Sequence, residues 1–200
     1  MLGLLLGSGL ALVLLPQALA EQADRRQPIT LESDKPCVVN LKTQSSVCSG
    51  NVVVNQGTLQ LRAERLELHQ LPGGNQQMQA EGVAGQPAHF RQKRDGVNEF
   101  VDGQALRIDY DSNTGILKFE GNAMVRRLRG TTPADEIHGS SIVWNSQREV
   151  FNVQGGAATA ANPGGRVRAV ITPRPAEDAA PAAAAPAPAL RTSPALGDRR

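Results

Sequence analysis

The chain has 200 residues, and its 21 Lys and Arg residues against 19 Asp and Glu residues give a formal net charge of +2. Nucleic-acid binding needs a concentrated basic surface, so this balanced composition argues against a nucleic-acid partner. Aromatic residues make up 3% of the chain. Aliphatic side chains must therefore supply most of any core or apolar groove.

The N-terminal segment has the pattern of a signal peptide. Residues 1–20 carry no charged side chain and end in Ala18, Leu19 and Ala20, the small-x-small pattern that precedes a cleavage site. A membrane anchor is the alternative, because an apolar run of this length can span a bilayer, but Pro16 and Gln17 interrupt the run. We predict a signal peptide at residues 1–20 and an N-terminal arm at residues 21–26, in a protein exported to an oxidising compartment.

Cys37 and Cys48 are the only cysteines, and in an oxidising compartment they are expected to pair. A hairpin that turns at Lys42 and Thr43 would place them directly opposite each other, at a separation that a disulfide can bridge. Two free buried thiols are the alternative. A metal site is not predicted, since no histidine or second cysteine pair lies at ligand spacing.

Residues 49–68 change the phase of their apolar positions partway along. Leu59, Leu61 and Ala63 lie on odd positions, whereas Leu66 and Leu68 lie on even positions. A helix would have to include Gly50, Gly57 and three consecutive valines, all unfavourable in a helix interior. We therefore predict two strands, with a bulge or corner at residues 64–65 where a strand bends from one sheet into another.

Period-two alternation continues along the chain and predicts an all-β fold of many short strands. Three successive strands are marked by Leu106, Ile108 and Tyr110, by Leu117 and Phe119, and by Ala123 and Val125. Turn-forming residues separate them at residues 111–115 and at residues 121–122. The same layout, ending in Gly-Asn, occurs near residues 29–54, and this weak internal repeat suggests stacked units.

Enzymatic chemistry has little support in the sequence. The three histidines, His69, His89 and His138, are isolated from any acid and nucleophile arrangement, and no hydrolase or zinc-protease motif occurs. Residues 109–120 place acids as in a calcium loop, but Thr114 replaces the required glycine and the flanks alternate as strands, which favours a hairpin turn. We predict no catalytic residue, no metal and no cofactor.

Alanine, proline and arginine dominate the C-terminal segment. Such a composition buries too little apolar surface to offset the entropy of ordering. We predict a disordered tail at residues 174–200. The remaining folded domain, residues 27–173, has the length of a single domain with one core.

Several segments, taken in order, resemble the LptA family of periplasmic lipopolysaccharide-transport proteins. They are SGNVVVNQGTLQLRAERLEL, PGG, GQPAHF, DGQALRIDYD, FEGNAMV, IHGSSIVW and RVRAVITP. The chain departs from the family at residues 63–65, where Ala-Asp-Lys is more usual, and in its cysteine pair. The resemblance covers residues 27–173 and implies an open β-jellyroll of the OstA type, built of antiparallel strands whose inner faces line an apolar slot.

The resemblance also implies a function in the periplasm. Members hold the lipid A acyl chains of lipopolysaccharide in the slot, and as a head-to-tail homo-oligomer they bridge an LptC-like inner-membrane partner and an LptD-like outer-membrane partner. Lipid-binding groove residues are predicted where the apolar phase of a strand faces inward: Ile29, Leu31, Leu59, Leu61, Phe90, Leu106, Ile108 and Phe119. Ordinary packed core is the alternative for each of them. A periplasmic scaffold without lipid and a glycan-acting enzyme are the alternative functions.

The first and last strands of the domain, residues 27–33 and 166–173, are predicted to be unprotected edges. Proline occurs only at their outer ends, at Pro28 and Pro173, and an open edge recruits another strand. Pairing the last strand of one molecule with the first strand of the next gives an open filament. In the alternative, the Arg-rich edge and the Ala/Pro tail cap the strand and keep the protein monomeric.

Overall fold

The computed structural model describes residues 23–157 and 164–173. These residues form twelve β-strands and one short 3-10 helix, Pro72–Gly74, so the predicted all-β fold is confirmed. The strands are β1 (Thr30–Glu32), β2 (Val38–Asn40), β3 (Ser45–Gln56), β4 (Leu59–Gln70), β5 (Gln76–Glu81), β6 (Ala88–Lys93), β7 (Glu99–Ala105), β8 (Arg107–Asp111), β9 (Ile116–Arg129), β10 (Thr132–Asn145), β11 (Val150–Gln154) and β12 (Arg168–Ile171).

Four long strands are shared between two antiparallel sheets. Residues 60–62 of β4 pair with β6, whereas residues 65–70 of the same strand pair with β5. In β9, residues 116–120 pair with β8 and residues 124–129 pair with β7. Sheet I therefore has the order β1-β3-β4-β6-β7-β9-β10-β12, and sheet II has the order β2-β3-β4-β5-β8-β9-β10-β11.

Corners form where the shared strands pass from one sheet to the other. In β3, Gly50 and Asn51 have φ angles of 80° and 44°, and the register with β4 shifts at this point. In β9, Gly121 and Asn122 have φ angles of 81° and 49°. Glycine tolerates positive φ, and asparagine adopts it more readily than most residues. The repeated Gly-Asn pair therefore marks the same corner in two related hairpins.

The phase change in β4 lies opposite the corner in β3. Ala63 and Leu66 are both buried although they lie three positions apart, because the strand changes sheets between them. The predicted corner at residues 64–65 is thus confirmed, but the prediction of two separate strands on either side of it is wrong, since β4 runs unbroken from Leu59 to Gln70. The prediction of a turn at residues 121–122 is wrong, since β9 runs unbroken through this Gly-Asn pair and bends there instead of reversing.

The inner faces of the two sheets pack directly against each other. Phe90 of sheet I has its ring centroid 5.9 Å from that of Tyr110 and 6.4 Å from that of Phe119, both on sheet II. A Cβ atom at Gly103 would lie 2.5 Å from Cε1 of Phe119, so only glycine lets β7 approach this ring. The interior is therefore a filled aliphatic and aromatic core around these rings.

The cysteine hairpin forms as predicted. Asn40 and Ser45 are paired in register at its closed end, so Cys37 lies opposite Cys48, with their Cα atoms 4.3 Å apart and a disulfide between them. Oδ1 of Asn40 accepts hydrogen bonds from the backbone N–H groups of Lys42 and Thr43, at 3.0 and 3.1 Å, which fixes the turn. The disulfide attaches the short edge strand β2 to the core strand β3.

Removing this disulfide is expected to lower stability. The double variant Cys37→Ser/Cys48→Ser should lose about 3 kcal/mol of unfolding free energy, because the closed loop no longer restricts the unfolded chain. Urea unfolding of the variant and the oxidised protein measures the difference. The oxidised protein should also show no free thiol under denaturing conditions, and a yield of two thiols per chain would contradict the pairing in solution.

Several predicted segments lie wholly or partly outside the described residues. The signal peptide at residues 1–20 and the tail at residues 174–200 are outside them, and only the last residues of the arm are inside. Within residues 23–157 and 164–173, no helix is long and apolar enough to cross a bilayer. The boundaries of the folded domain at residues 27 and 173 remain predictions.

Candidate functional site

The two sheets meet along one side, which we call the spine. The chain crosses between sheets there, at the corners of the shared strands and at the links that join β5 to β6 and β7 to β8. Backbone hydrogen bonds connect neighbouring crossings, since Gly82 N donates to Leu106 O at 2.8 Å and Leu106 N donates to Gly121 O at 3.0 Å. The spine is thus a hydrogen-bonded line along which the backbone joins the two sheets.

Opposite the spine, the hairpin tips of the two sheets face each other across what we call the mouth. Sheet I contributes the tips at residues 57–58, 94–98 and 130–131, and sheet II contributes those at residues 41–44, 71–75, 112–115 and 146–149. Within residues 23–157 and 164–173, no backbone pairing joins the sheets here, and side chains close the mouth.

The structure brings five of the predicted groove residues together in the interior. Leu59, Leu61 and Phe90 come from sheet I, and Ile108 and Phe119 come from sheet II; none is more than 1% exposed. All five point between the sheets because they lie on the inward phase of their strands. They form one apolar cluster that is closed to solvent.

The other three predicted groove residues lie at the margins. Ile29 and Leu31 are partly buried and pack against the core from the N-terminal edge of sheet I. Leu106 is 41% exposed and lies over Gly121 on the spine, outside the interior. The alternation of β8 predicted Leu106 to face inward, but the chain changes sheets at this residue and the change turns its side chain outward.

A chain of glutamines crosses the mouth at its N-terminal end. Gln76 of sheet II donates a hydrogen bond from Nε2 to Oε1 of Gln56 on sheet I, and Nε2 of Gln56 donates to the backbone oxygen of Gln27 at 3.1 Å. Gln56 and Gln76 are buried. Five glutamines and one asparagine line a cavity of 550 Å³ beside this bridge: Gln27, Gln44, Gln56, Gln70, Gln76 and Asn75.

Asp24 of the N-terminal arm lies against the tips of sheet I. Its carboxylate accepts hydrogen bonds from N and Oγ1 of Thr58, at 2.7 and 2.6 Å, and from Nε2 of Gln92 at 3.0 Å. Asp24 and Gln92 are both buried. The arm is therefore attached to the domain by a buried polar contact beside the mouth.

An ionic network crosses the mouth further along. Arg94, on the tip after β6, contacts Glu99 of the same sheet and Glu149 of the β10–β11 tip of sheet II. Arg127 extends the network from Glu99, at 3.2 Å, to Asp135, at 2.6 Å. Burial raises the pKa of Glu99, but the charges of Arg127 and Arg94 outweigh it and hold that pKa below its ordinary value.

A second charged cluster lies on the outer face of sheet I. Asp102 accepts from His89 at 3.1 Å, from Arg91 at 3.3 Å and from Arg126 at 3.1 Å. Burial raises the pKa of Asp102, but the hydrogen bond from His89 and the neighbouring positive charges lower it further, below its ordinary value. The single buried carboxylate is thus paired with two guanidinium groups and an imidazole, and the cluster is an ion network of the sheet.

The arrangement has the chemistry of a carrier for apolar chains. Two sheets with apolar inner faces are joined on one side by backbone and closed on the other, as far as the described residues extend, by side chains. Among the described residues, no group of three or more histidine, cysteine, aspartate or glutamate side chains could hold a metal ion. The fold and the site together define an all-β jellyroll with an apolar interior and a polar mouth.

Comparison with known proteins gives the family. Residues 30–150 match the family described as LptA/(LptD N-terminal domain) LPS transport protein. The lipopolysaccharide export system protein LptA of Escherichia coli K12 is 31% identical over 160 residues, which cover 79% of this chain and 82% of that protein. LptA of Haemophilus influenzae is 26% identical over 158 residues. The chain belongs to this family of lipopolysaccharide transport proteins.

A solved structure supports the same assignment. LptH of Pseudomonas aeruginosa, described as the LptA-homologous periplasmic component of the lipopolysaccharide transport device, superposes with a TM-score of 0.61 at 26% identity. The match covers 76% of this chain and 99% of that one. The predicted OstA-like jellyroll is thereby confirmed.

Sequence reasoning missed the polar groups at the mouth, although the sequence carries a signal for them. In three strands, the inward-facing position nearest the mouth is a glutamine. Gln56 lies two positions after Val54, Gln92 two positions after Phe90, and Gln76 two positions before Met78. A polar residue on the apolar phase at the end of a strand indicates that the strand has reached the rim of the core. Asp24 gave no such signal, because it lies outside any strand.

Proposed function

We propose that this protein is a periplasmic carrier that binds lipopolysaccharide and moves it from the inner to the outer membrane. One observation supports this most strongly: two apolar inner faces are joined by backbone along the spine and closed by side chains on the other side. Each buried methylene of an acyl chain gains about 0.8 kcal/mol on leaving water. A slot of this chemistry therefore suits the lipid part of lipopolysaccharide, and the relatives are named for its export.

The proposed acyl contacts are the inward residues of both sheets. Leu59, Leu61, Phe90, Ile108 and Phe119 would contact the chains inside the slot, and Ile29 and Leu31 would contact them at its N-terminal end. Leu106 is excluded by its position on the spine. No catalytic residue takes part, because binding and release of the lipid need no change in its covalent bonds.

The proposed partners are an LptC-like protein at the inner membrane, an LptD-like protein at the outer membrane and further copies of this chain. Both ends of the jellyroll have edge strands that pair on one side only among the described residues, β1 and β2 at one end and β11 and β12 at the other. Exposed apolar side chains lie on these edges, including Val38 and Val39 on β2 and Val170 and Ile171 on β12. Strand addition at both ends would continue the slot from one molecule to the next.

Photo-crosslinking tests the lipid contacts. A photo-reactive residue at Phe90 or Ile29 should form an adduct with lipopolysaccharide in the folded protein. Arg62 and Thr30 are the matched controls, because Arg62 is exposed on the outer face of the strand next to Phe90 and Thr30 is the exposed neighbour of Ile29. Adducts at the outward positions alone, or at none of the four, would contradict the proposed slot.

A scaffold without lipid cargo is the second candidate, and the filled interior favours it. The inner residues leave no exposed apolar groove in the described part of the chain. Titration of the mature protein with purified lipopolysaccharide separates the two candidates. Saturable binding supports the carrier, whereas oligomers that form without any binding support the scaffold.

A further inference from the structure

The interior must open before it can hold a lipid. The residues predicted to contact acyl chains are inaccessible, with Phe90, Phe119 and Ile108 each 0% exposed. The spine cannot open easily, since its crossings are covalent and hydrogen-bonded along the line. The mouth is the side where the sheets can part, because in the described part of the chain only side chains join them there.

We infer that the Gln56–Gln76 bridge and the Arg94–Glu149 ion pair are two latches that hold the mouth closed, and that lipid enters by parting them. This inference rests on the proposed function as a lipid carrier. Each latch joins a tip of sheet I to a tip of sheet II. Together they make the closed, lipid-free protein a distinct state instead of a permanently open groove.

The glutamine latch is built to be weak. Gln56 is oriented by its donation to the Gln27 oxygen, so its own Oε1 must accept from Nε2 of Gln76. This arrangement leaves Oε1 of Gln76 buried without a donor among the described residues, and Oε1 of Gln92 is in the same position. A buried acceptor without a partner costs free energy that two apolar side chains would not cost. The closed state therefore has buried hydrogen-bond acceptors without donors at the point where the sheets must separate.

The ionic latch is reversible for a different reason. The Glu149 side chain is 55% exposed, whereas Arg94 is 12% exposed and stays attached to Glu99 of its own sheet. When the sheets part, Glu149 can return to water and Arg94 keeps one carboxylate. Glu149 also has a positive φ of 55°, a conformation that glutamate adopts at some cost. Neither group is left buried and uncompensated by opening.

Three variants test the latches. Glu149→Gln removes the charge that crosses the mouth and should raise the rate of entry into the interior about threefold, the effect expected for one partly exposed ion pair. Gln56→Leu/Gln76→Leu replaces the underpaired bridge by apolar contact and should slow entry about tenfold while raising the melting temperature. Glu64→Gln is the matched control, because it removes the 3.0 Å ion pair with Lys35 on the spine and should leave the rate unchanged.

Entry is measured by stopped-flow fluorescence with two probes, the apolar dye N-phenylnaphthylamine and purified lipopolysaccharide. A faster entry rate for Glu149→Gln and a slower one for Gln56→Leu/Gln76→Leu, with the rate of Glu64→Gln unchanged, support the latches. Equal rates in all variants, an equal shift in the spine control, or no entry of the dye would overturn them. If the dye rates shift as expected but lipopolysaccharide does not bind, the latches stand and the proposed function fails.

Discussion

Replacement of Phe90 by alanine is expected to lower the free energy of unfolding by about 3–5 kcal/mol, the range measured for truncating a buried aromatic residue. Phe90 is 0% exposed and lies between Tyr110 and Phe119, so its ring joins the two sheets at the centre of the core. Neighbouring side chains extend from two separate sheets and cannot easily collapse into the cavity. Urea unfolding with tryptophan fluorescence measures the loss.

Phe100→Ala is the matched control for this variant. Phe100 lies on the neighbouring strand but faces outward, where the Arg91 guanidinium is 4.4 Å from its ring centroid. Losing this cation–π contact should cost about 1 kcal/mol. If both variants lose the same stability, Phe90 does not have the central position that the packing gives it.

The strands were predictable wherever one face is buried, because burial imposes period two on the sequence. The phase change in β4 was informative for the same reason: a strand that moves from sheet I to sheet II must change which side chains face the core. Ala63 and Leu66 therefore indicate a corner without knowledge of any partner strand. The disulfide was predictable from hairpin geometry and cellular compartment together.

The second corner was not predictable from local signals. Gly121 and Asn122 have the residue types and the positive φ angles of a tight turn, and they also have those of a bend inside a long strand. Only the pairing of β9 with β10 on both sides of the bend distinguishes the two. The prediction that Leu106 faces inward was wrong for a related reason, since its outward position depends on the link between β7 and β8 and not on the alternation of residues along β8.

The mouth shows the limit of reasoning from a single sequence. Gln56, Gln76, Arg94 and Glu149 are separated by up to 93 positions (149 − 56), and they meet only because the tips of two sheets face each other. The sequence indicates that Gln56 and Gln76 end an apolar phase, but it does not indicate which tip faces which. That information lies in the order of strands in the two sheets.

Head-to-tail assembly should depend on one backbone edge. Among the described residues, the predicted edge strands β1 and β12 each pair on one side only, and they lie at opposite ends of sheet I. All four residues of β12 are exposed, with Ile171 76% exposed. If β12 of one molecule pairs with β1 of the next, sheet I continues across the junction, and the contact repeats without closing.

Proline substitution in β12 tests this pairing better than deleting residues from 166 onward, because deletion would expose the part of β10 that β12 covers as a new edge. Successive N–H groups of a strand point to opposite sides. Of the variants Ala169→Pro and Val170→Pro, one therefore loses a donor to β10 and the other loses a donor on the free edge. We call the variant that loses the donor on the free edge the edge variant. Thermal melting identifies it, because its stability should be closer to that of the unmodified protein.

Within the range from micromolar to near-millimolar concentration, we expect the edge variant to remain monomeric in light scattering at concentrations where the unmodified protein already grows in mass. Loss of one intermolecular hydrogen bond and the clash of the proline ring should weaken association about tenfold or more. Val170→Thr keeps the backbone donor and favours a strand, so it should assemble like the unmodified protein. An unmodified protein that stays monomeric throughout would show that the edge is capped, whereas equal growth of the threonine and both proline variants would place the junction on another strand. Lipopolysaccharide binding by the monomeric variant should persist, because β12 lies at the end of sheet I and contributes no residue to the apolar cluster between the sheets.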